Sequence, residues 1–275
     1  MMKPVLLSLV LLSAAAVAQP VVSAGGVIDG AGFNLGQAVA PGSLVSIFGT
    51  GLATSLLQGD TIPLSNNLGG TSVKFNGITA PLYFVSTGQI NAQVPWDVLG
   101  QGATTGSVNV VVTVNSASST PQPVPVSLFS PNMFSIPPGA GYGIAINPDG
   151  SLAAPVGAIP GFCTRPARTG EVLILLANGL GPVDKPIVSG APGFDSVVGV
   201  RNTTTKPVVL IGGVSVDVAF SGLSPEFPGI NQLNVVVPGS VSGNSVPLQL
   251  RTGGITSSDK VVIAVGGSGE CPRAK

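Results

Sequence analysis

The chain says the same thing twice, and this constrains its fold more than any other feature. Residues 42–52 read GSLVSIFGTGL and residues 170–180 read GEVLILLANGL. Residues 89–95 read QINAQVP and residues 232–238 read QLNVVVP. Ahead of each second motif lies a β-run broken by a tight turn, VKFNGIT at 73–79 and VLIGGVS at 209–215. Motifs that recur in the same order imply two copies of one supersecondary unit. Every one of these segments reads as a strand or a turn.

The strand reading survives the glycine and proline content, 39 and 25 residues of 275. Val, Ile, Leu and Phe alternate with polar residues between the breakers, as in short strands joined by Gly/Pro turns. Asn76-Gly77 is the best hairpin signal, and Asn147-Pro148-Asp149-Gly150 is a second strong turn. No segment longer than about ten residues holds a helical period. The expected fold class is all-β: two tandem β-sandwiches packed together, with very little helix. The first sandwich is expected over 19–128 and the second over 144–266, followed by a tail at 267–275. Between them, FSPNMFSIPPGAGYG at 129–143 reads as a connection. Phe129, Met133, Phe134 and Ile136 make it too apolar for a solvated linker, so the units are expected to dock closely.

Residues 1–18 read as a signal peptide. Lys3 gives a positive start, Val5–Leu12 an apolar core, and Ala16-Val17-Ala18 a small-x-small cleavage site. No later apolar run reaches spanning length, so the expected mature chain has no transmembrane span. The expected location is periplasmic, cell-surface or extracellular. There Cys163 and Cys271 form an even pair in an oxidising compartment, and a disulfide clamping the tail to the second unit is expected.

The runs APGSLVSIFGTGLA (40–53), LGGTSVKFNGITAPLYFVSTGQINAQVPWDV (68–98) and RTGEVLILLANGLGPV (168–183) resemble an uncharacterised bacterial domain family. That family is usually found at the C-termini of large secreted proteins of soil Acidobacteria. The resemblance covers roughly residues 27–266. Its units look like the Ig-like modules of the IPT/TIG class. What it implies is export, a tandem Ig-like sandwich and no assigned activity.

Composition excludes more chemistry than it suggests. There is no His, which removes Ser-His-Asp and Cys-His catalysis and every His-ligated metal. Net charge is zero, without a cationic cluster for phosphates, so nucleic acid is not an expected partner. The acids are scattered, and Asp29, Asp97, Asp149 and Asp195 read as turn residues. No metal site, cofactor or catalytic residue is expected, although loop acids at one end of a sandwich leave a weak calcium site open. The repeated amides Gln89 and Asn91, matched by Gln232 and Asn234, are expected to satisfy buried backbone groups. Trp96, Tyr83 and Tyr142 are the candidates for a ligand platform, with Trp96 alternatively packed at the seam between units. The expected function is a non-enzymatic interaction module of the cell surface or matrix. A carbohydrate-binding protein is the alternative, and an acid-only hydrolase a third reading. The expected partner is an extracellular protein or polysaccharide.

Overall fold

A computed structural model describes residues 19–270. The expected signal peptide lies outside these residues. Among the described residues there is no helix. The chain is an all-β pair of Ig-like sandwiches, as the alternation predicts.

In the first unit one sheet runs Val21–Asp29, Leu44–Thr50, Gln89–Gln93, Leu82–Val85 and Leu57–Gln58 in spatial order. The facing sheet runs Gln122–Ser127, Thr105–Val114, Thr71–Phe75 and Ile78–Ala80. Their inward side chains, among them Val45, Ile47, Val73, Phe75, Ile90 and Val112, form one closed core. Period-2 alternation produces this directly: Ile90 and Ala92 point in, while Gln89 and Asn91 point to the half-covered face.

The second unit repeats the plan. Val172–Asn178 pairs with Asn231–Val236, which pairs with Val218–Leu223. The opposite sheet places Val208–Ile211 between Gly243–Thr252 and the hairpin partner Val214–Val216. Its core holds Leu173, Leu175, Leu233, Val235, Leu248 and Ile263. Asn76-Gly77 and Gly212-Gly213 turn the two equivalent hairpins.

The stretch 129–143 is not a bridge between finished sandwiches. Asn132–Met133 pairs with Val172–Asn178, and Ser135–Ile136 pairs with Gly141–Gly143, which pairs in parallel with Val261–Val265. Met133 is buried in the second core. Phe129 wedges between two glycines: a Cβ on Gly181 or on Gly253 would lie 2.2 Å from its ring. Of the apolar side chains read as evidence of docking, Met133 and Ile136 thus lie on strands of the second unit, and Phe129 packs against that unit's glycines. Leu57–Gln58 adds a short edge strand to the first unit.

The stretch 154–169 is organised by one buried cation. Arg165 is almost fully buried. Its Nε donates to Asp149 Oδ2 at 2.5 Å, and its two terminal nitrogens donate to both oxygens of Glu171 at 2.9 Å. Arg165 holds the Asp149 carboxyl well below the usual range. Burial pushes the Glu171 carboxyl up, but the Arg165 fork outweighs it and the net shift is down. Cys163, just before Arg165, is not a free thiol. Its expected partner Cys271 lies outside the described residues. The last described residues do run beside this stretch: the Gly266 N–H donates to Ala167 O, and Gly269 lies against Val156.

Candidate functional site

Two of the aromatic residues singled out in the sequence, Trp96 and Tyr83, lead to the seam between the units. The strand Gln89–Gln93 runs into Val94-Pro95-Trp96 and delivers Trp96 to this boundary. The indole lies flat against Gly42, where a Cβ would fall 2.3 Å from ring carbons. Gly42 also has φ of 75°, so glycine is required there on both counts. The Trp96 main-chain N–H donates to Ser189 Oγ of the second unit at 3.1 Å. Its Nε1 is buried without a hydrogen-bond partner.

Around this ring lies a cleft of about 200 Å³, lined by Pro41, Trp96, Leu99, Leu128 and Pro182, with Ala103 and three glycines. Both units contribute to it. Among these residues only Trp96 has a side-chain hydrogen-bonding group, and none is charged. Gly100 and Ala103 are exposed at its mouth, and a Cβ on Gly100 would meet nothing within 4 Å.

Four further residues, Gln93, Leu64, Tyr83 and Asn178, pin the seam through polar contacts. Gln93, fully buried, donates from Nε2 to Gly42 O at 3.0 Å and accepts the Gly190 N–H at 2.6 Å. Leu64 donates its N–H to Gly190 O at 2.9 Å. Tyr83 donates its hydroxyl to Pro228 O at 2.6 Å, and burial pushes that hydroxyl's pKa up. Asn178, at the end of the second unit's Val172–Asn178, reaches into the first. Its Oδ1 accepts the Leu44 N–H at 3.0 Å, while its Nδ2 donates to Leu44 O at 2.7 Å and to Asp29 Oδ2 at 2.8 Å.

The three aromatic candidates do not form one platform. Trp96 and Tyr83 are both committed to the seam. Tyr142 belongs to a small cluster in the second unit, with Ile144, Ile146, Leu152 and Ile159. The repeated amides do not reach backbone groups. Gln89 Nε2 donates to Asn91 Oδ1 at 2.8 Å, where Ser46 Oγ also donates, and Gln232 Nε2 donates to Asn234 Oδ1 at 3.0 Å. Residues i and i+2 share one face of a strand, so each pair satisfies itself. The acids stay dispersed. Asp149 and Glu171 serve Arg165, and Asp195 accepts from Arg201 at 2.7 Å. Among the described residues no three His, Cys, Asp or Glu side chains converge as a metal site.

Gln93 and Asn178 were not legible as seam residues, although one signal existed: both break the repeat. Aligning the motifs sets Gln93 against Val236, and Asn178 against Thr50. Asp29 is a turn residue by its sequence context. It does accept the N–H groups of Ala31 and Gly32, and it also takes Asn178.

Comparison with known proteins fits the fold. Residues 34–127, within the first sandwich, match the IPT/TIG domain family. None of the curated proteins compared with the chain matches it. Among solved structures, SGBP-B of the Bacteroides ovatus mixed-linkage glucan utilization locus, in complex with a mixed-linkage heptasaccharide, is 12% identical with a TM-score of 0.34. That match covers 86% of this chain and 45% of the other. The plexin A4 full extracellular region is 14% identical with a TM-score of 0.24, covering 82% of this chain and 17% of the other. The endo-fucoidan hydrolase MfFcnA4, of glycoside hydrolase family 107, is 11% identical with a TM-score of 0.17, covering 88% and 44%. The chain thus spans less than half the length of each of these structures. At such scores and identities no function passes from them to this chain.

Proposed function

We propose that this protein is an exported, non-enzymatic interaction module. Its two sandwiches act as one rigid body and contact an extracellular protein through the seam cleft. The observation that carries this reading is the chemistry of that cleft. It is apolar, uncharged, built from both units and braced by hydrogen bonds on its second-unit side. Its volume of about 200 Å³ is below the roughly 300–1,000 Å³ typical of free small-molecule sites. It is sized for one apolar side chain presented by a larger partner. A sugar would bring hydroxyls for which the lining offers no amide, hydroxyl or carboxylate side chain. The polysaccharide alternative rests on the Trp96 ring alone.

Trp96 is the single tryptophan of the chain, so its emission reports the cleft directly. The test is a pull-down from extracellular fractions beside a glycan array, using the mature protein and Gly100→Leu. The substitution starts from a Cβ that meets nothing within 4 Å and extends an apolar side chain at the mouth. Capture of a protein that shifts Trp96 emission, lost in Gly100→Leu, is the expected result. Glycan binding that quenches Trp96, or protein capture indifferent to Gly100→Leu, would overturn the assignment.

A further inference from the structure

The amide pairs recur in both units, yet neither pair serves a main-chain group. Gln89 Nε2 and Ser46 Oγ both donate to Asn91 Oδ1, at 2.8 and 3.1 Å, and Gln232 Nε2 donates to Asn234 Oδ1 at 3.0 Å. Among the described residues, Nδ2 of Asn91 and Asn234 and Oε1 of Gln89 and Gln232 make no hydrogen bond, and all of them reach solvent. Each pair thus holds its own geometry and leaves one donor group and one acceptor open. They lie on the outer face of a central strand, Gln89–Gln93 in the first unit and Asn231–Val236 in the second. Apolar side chains flank them at equal register. Phe84 stands opposite Asn91, and Phe220 opposite Asn234. On the other neighbouring strand, Phe48 stands opposite Gln89, and Leu176 opposite Gln232. Directly opposite residues share one face of a sheet. All of these side chains are half-buried and none is charged. Gly222 makes room for the second unit's ring: a Cβ there would fall 2.8 Å from Phe220 Cζ.

We propose that each of these faces is a binding strip for a neutral polysaccharide, one strip in each unit, with Phe84, Gln89 and Asn91 in the first and Phe220, Gln232 and Asn234 in the second. The ligand class follows from what the strip offers and what it lacks. A charged polymer finds no counter-charge in it. A purely apolar surface would cover the open amide groups without satisfying them. A sugar ring brings an apolar C–H face for the phenylalanine, and hydroxyls that both donate and accept for the open Oε1 and Nδ2. Duplication favours a polymer over a folded protein. A regular polymer presents the same group at every step, so two copies of one strip both find it, whereas a protein surface does not repeat. The seam cleft, whose lining lacks these amides, shares no residue with either strip. The strips therefore stand independently of what the cleft binds.

The test is a titration of the full mature chain, labelled with nitrogen-15, with soluble neutral polysaccharides (β-glucan, xylan and galactomannan), following the side-chain amide signals of Asn91 and Asn234. At least one polymer is expected to shift both signals while Trp96 emission stays unchanged. Phe84→Leu should abolish the shift at Asn91 and keep that at Asn234, and Phe220→Leu should do the reverse. Gly100→Leu, which alters only the cleft mouth, should bind the polymer as the native chain does. Should a phenylalanine variant fail to fold, Asn234→Ala decides for the second strip, because its Oδ1 accepts only from Gln232: the melt should hold while the Gln232 side-chain signal no longer responds to polymer. Amide signals that no polymer moves, or that still shift in both phenylalanine variants, overturn the strips. A captured protein that shifts both signals and that no polymer displaces overturns the ligand class. A polymer that quenches Trp96 and leaves both amide signals in place assigns sugar to the cleft, and sinks the strips and the cleft reading together.

Discussion

The repeat itself suggests the most informative substitution. Where the first unit has Gln93 the second has Val236, a residue that suits the same strand but cannot bond across a seam. Gln93→Val therefore keeps the β-propensity of the position and removes only its amide. Two buried main-chain groups then lose their partners, Gly42 C=O and Gly190 N–H. Each orphaned group costs about 1–3 kcal/mol, giving about 2–6 kcal/mol together. For a chain of this size about 1 kcal/mol moves Tm by about 2–4 °C. The loss falls on the joint, because the inward residues Ile90 and Ala92 of the same strand are untouched. Thermal unfolding followed in parallel by Trp96 emission and far-ultraviolet circular dichroism is the assay. In the native chain the two traces should coincide as one transition. In Gln93→Val the Trp96 trace should move to lower temperature and separate from the dichroism trace. A Tm unchanged within a degree, with coincident traces, would refute the view that Gln93 holds the units together.

Other outcomes follow from the same geometry. Arg165→Met strands the partly buried Glu171 and should cost about 3–5 kcal/mol in urea unfolding, with Arg165→Lys a poor rescue because an ammonium cannot fork to two carboxylates. Asp149 and Glu171 are both held below their ordinary values. Their contribution is present above pH 3.8 and 4.5 and lost on acidification, so the acid limb of a pH–stability profile should flatten in Arg165→Met. Asn234→Ala should cost less than about 1 kcal/mol in a thermal melt, since its Oδ1 accepts only from the half-exposed Gln232. Non-reducing peptide mapping of the exported chain should recover Cys163 and Cys271 in one cross-linked peptide, and reduction should lower stability by about 4–5 kcal/mol in the chain-entropy view.

The sandwich cores were legible because their signal is local. Ile90/Ala92 and Leu233/Val235 alternate within a few residues, and the burial of each follows from the pleat. The recruitment of 132–143 was not, because strands of two or three residues such as Asn132–Met133 are too short to show a period. The amide pairs were visible as a repeat, yet their partners were misassigned: nothing in QINAQ states that Gln89 turns along its own strand rather than into a loop. The seam was hidden for a different reason. Asp29 and Asn178 are separated by 149 residues, and Gln93 and Gly190 by 97. Such pairs leave no periodic trace in a single chain. What the sequence did carry was the list of places where the two copies disagree, and the seam residues stand on it.

Those disagreements also decide whether the architecture can propagate. Docking here is directional: the first unit presents Asp29, Gln93 and Trp96, and the second answers with Asn178, Gly190 and Ser189. A third copy added beyond the second by the same rotation would meet Asn147, Val236 and Gly239 at those positions. It would find no carboxylate, no bridging amide and no indole. Solenoids grow because every repeat offers its neighbour the same face. This pair has spent its adhesive face once, internally, and its geometry ends at two.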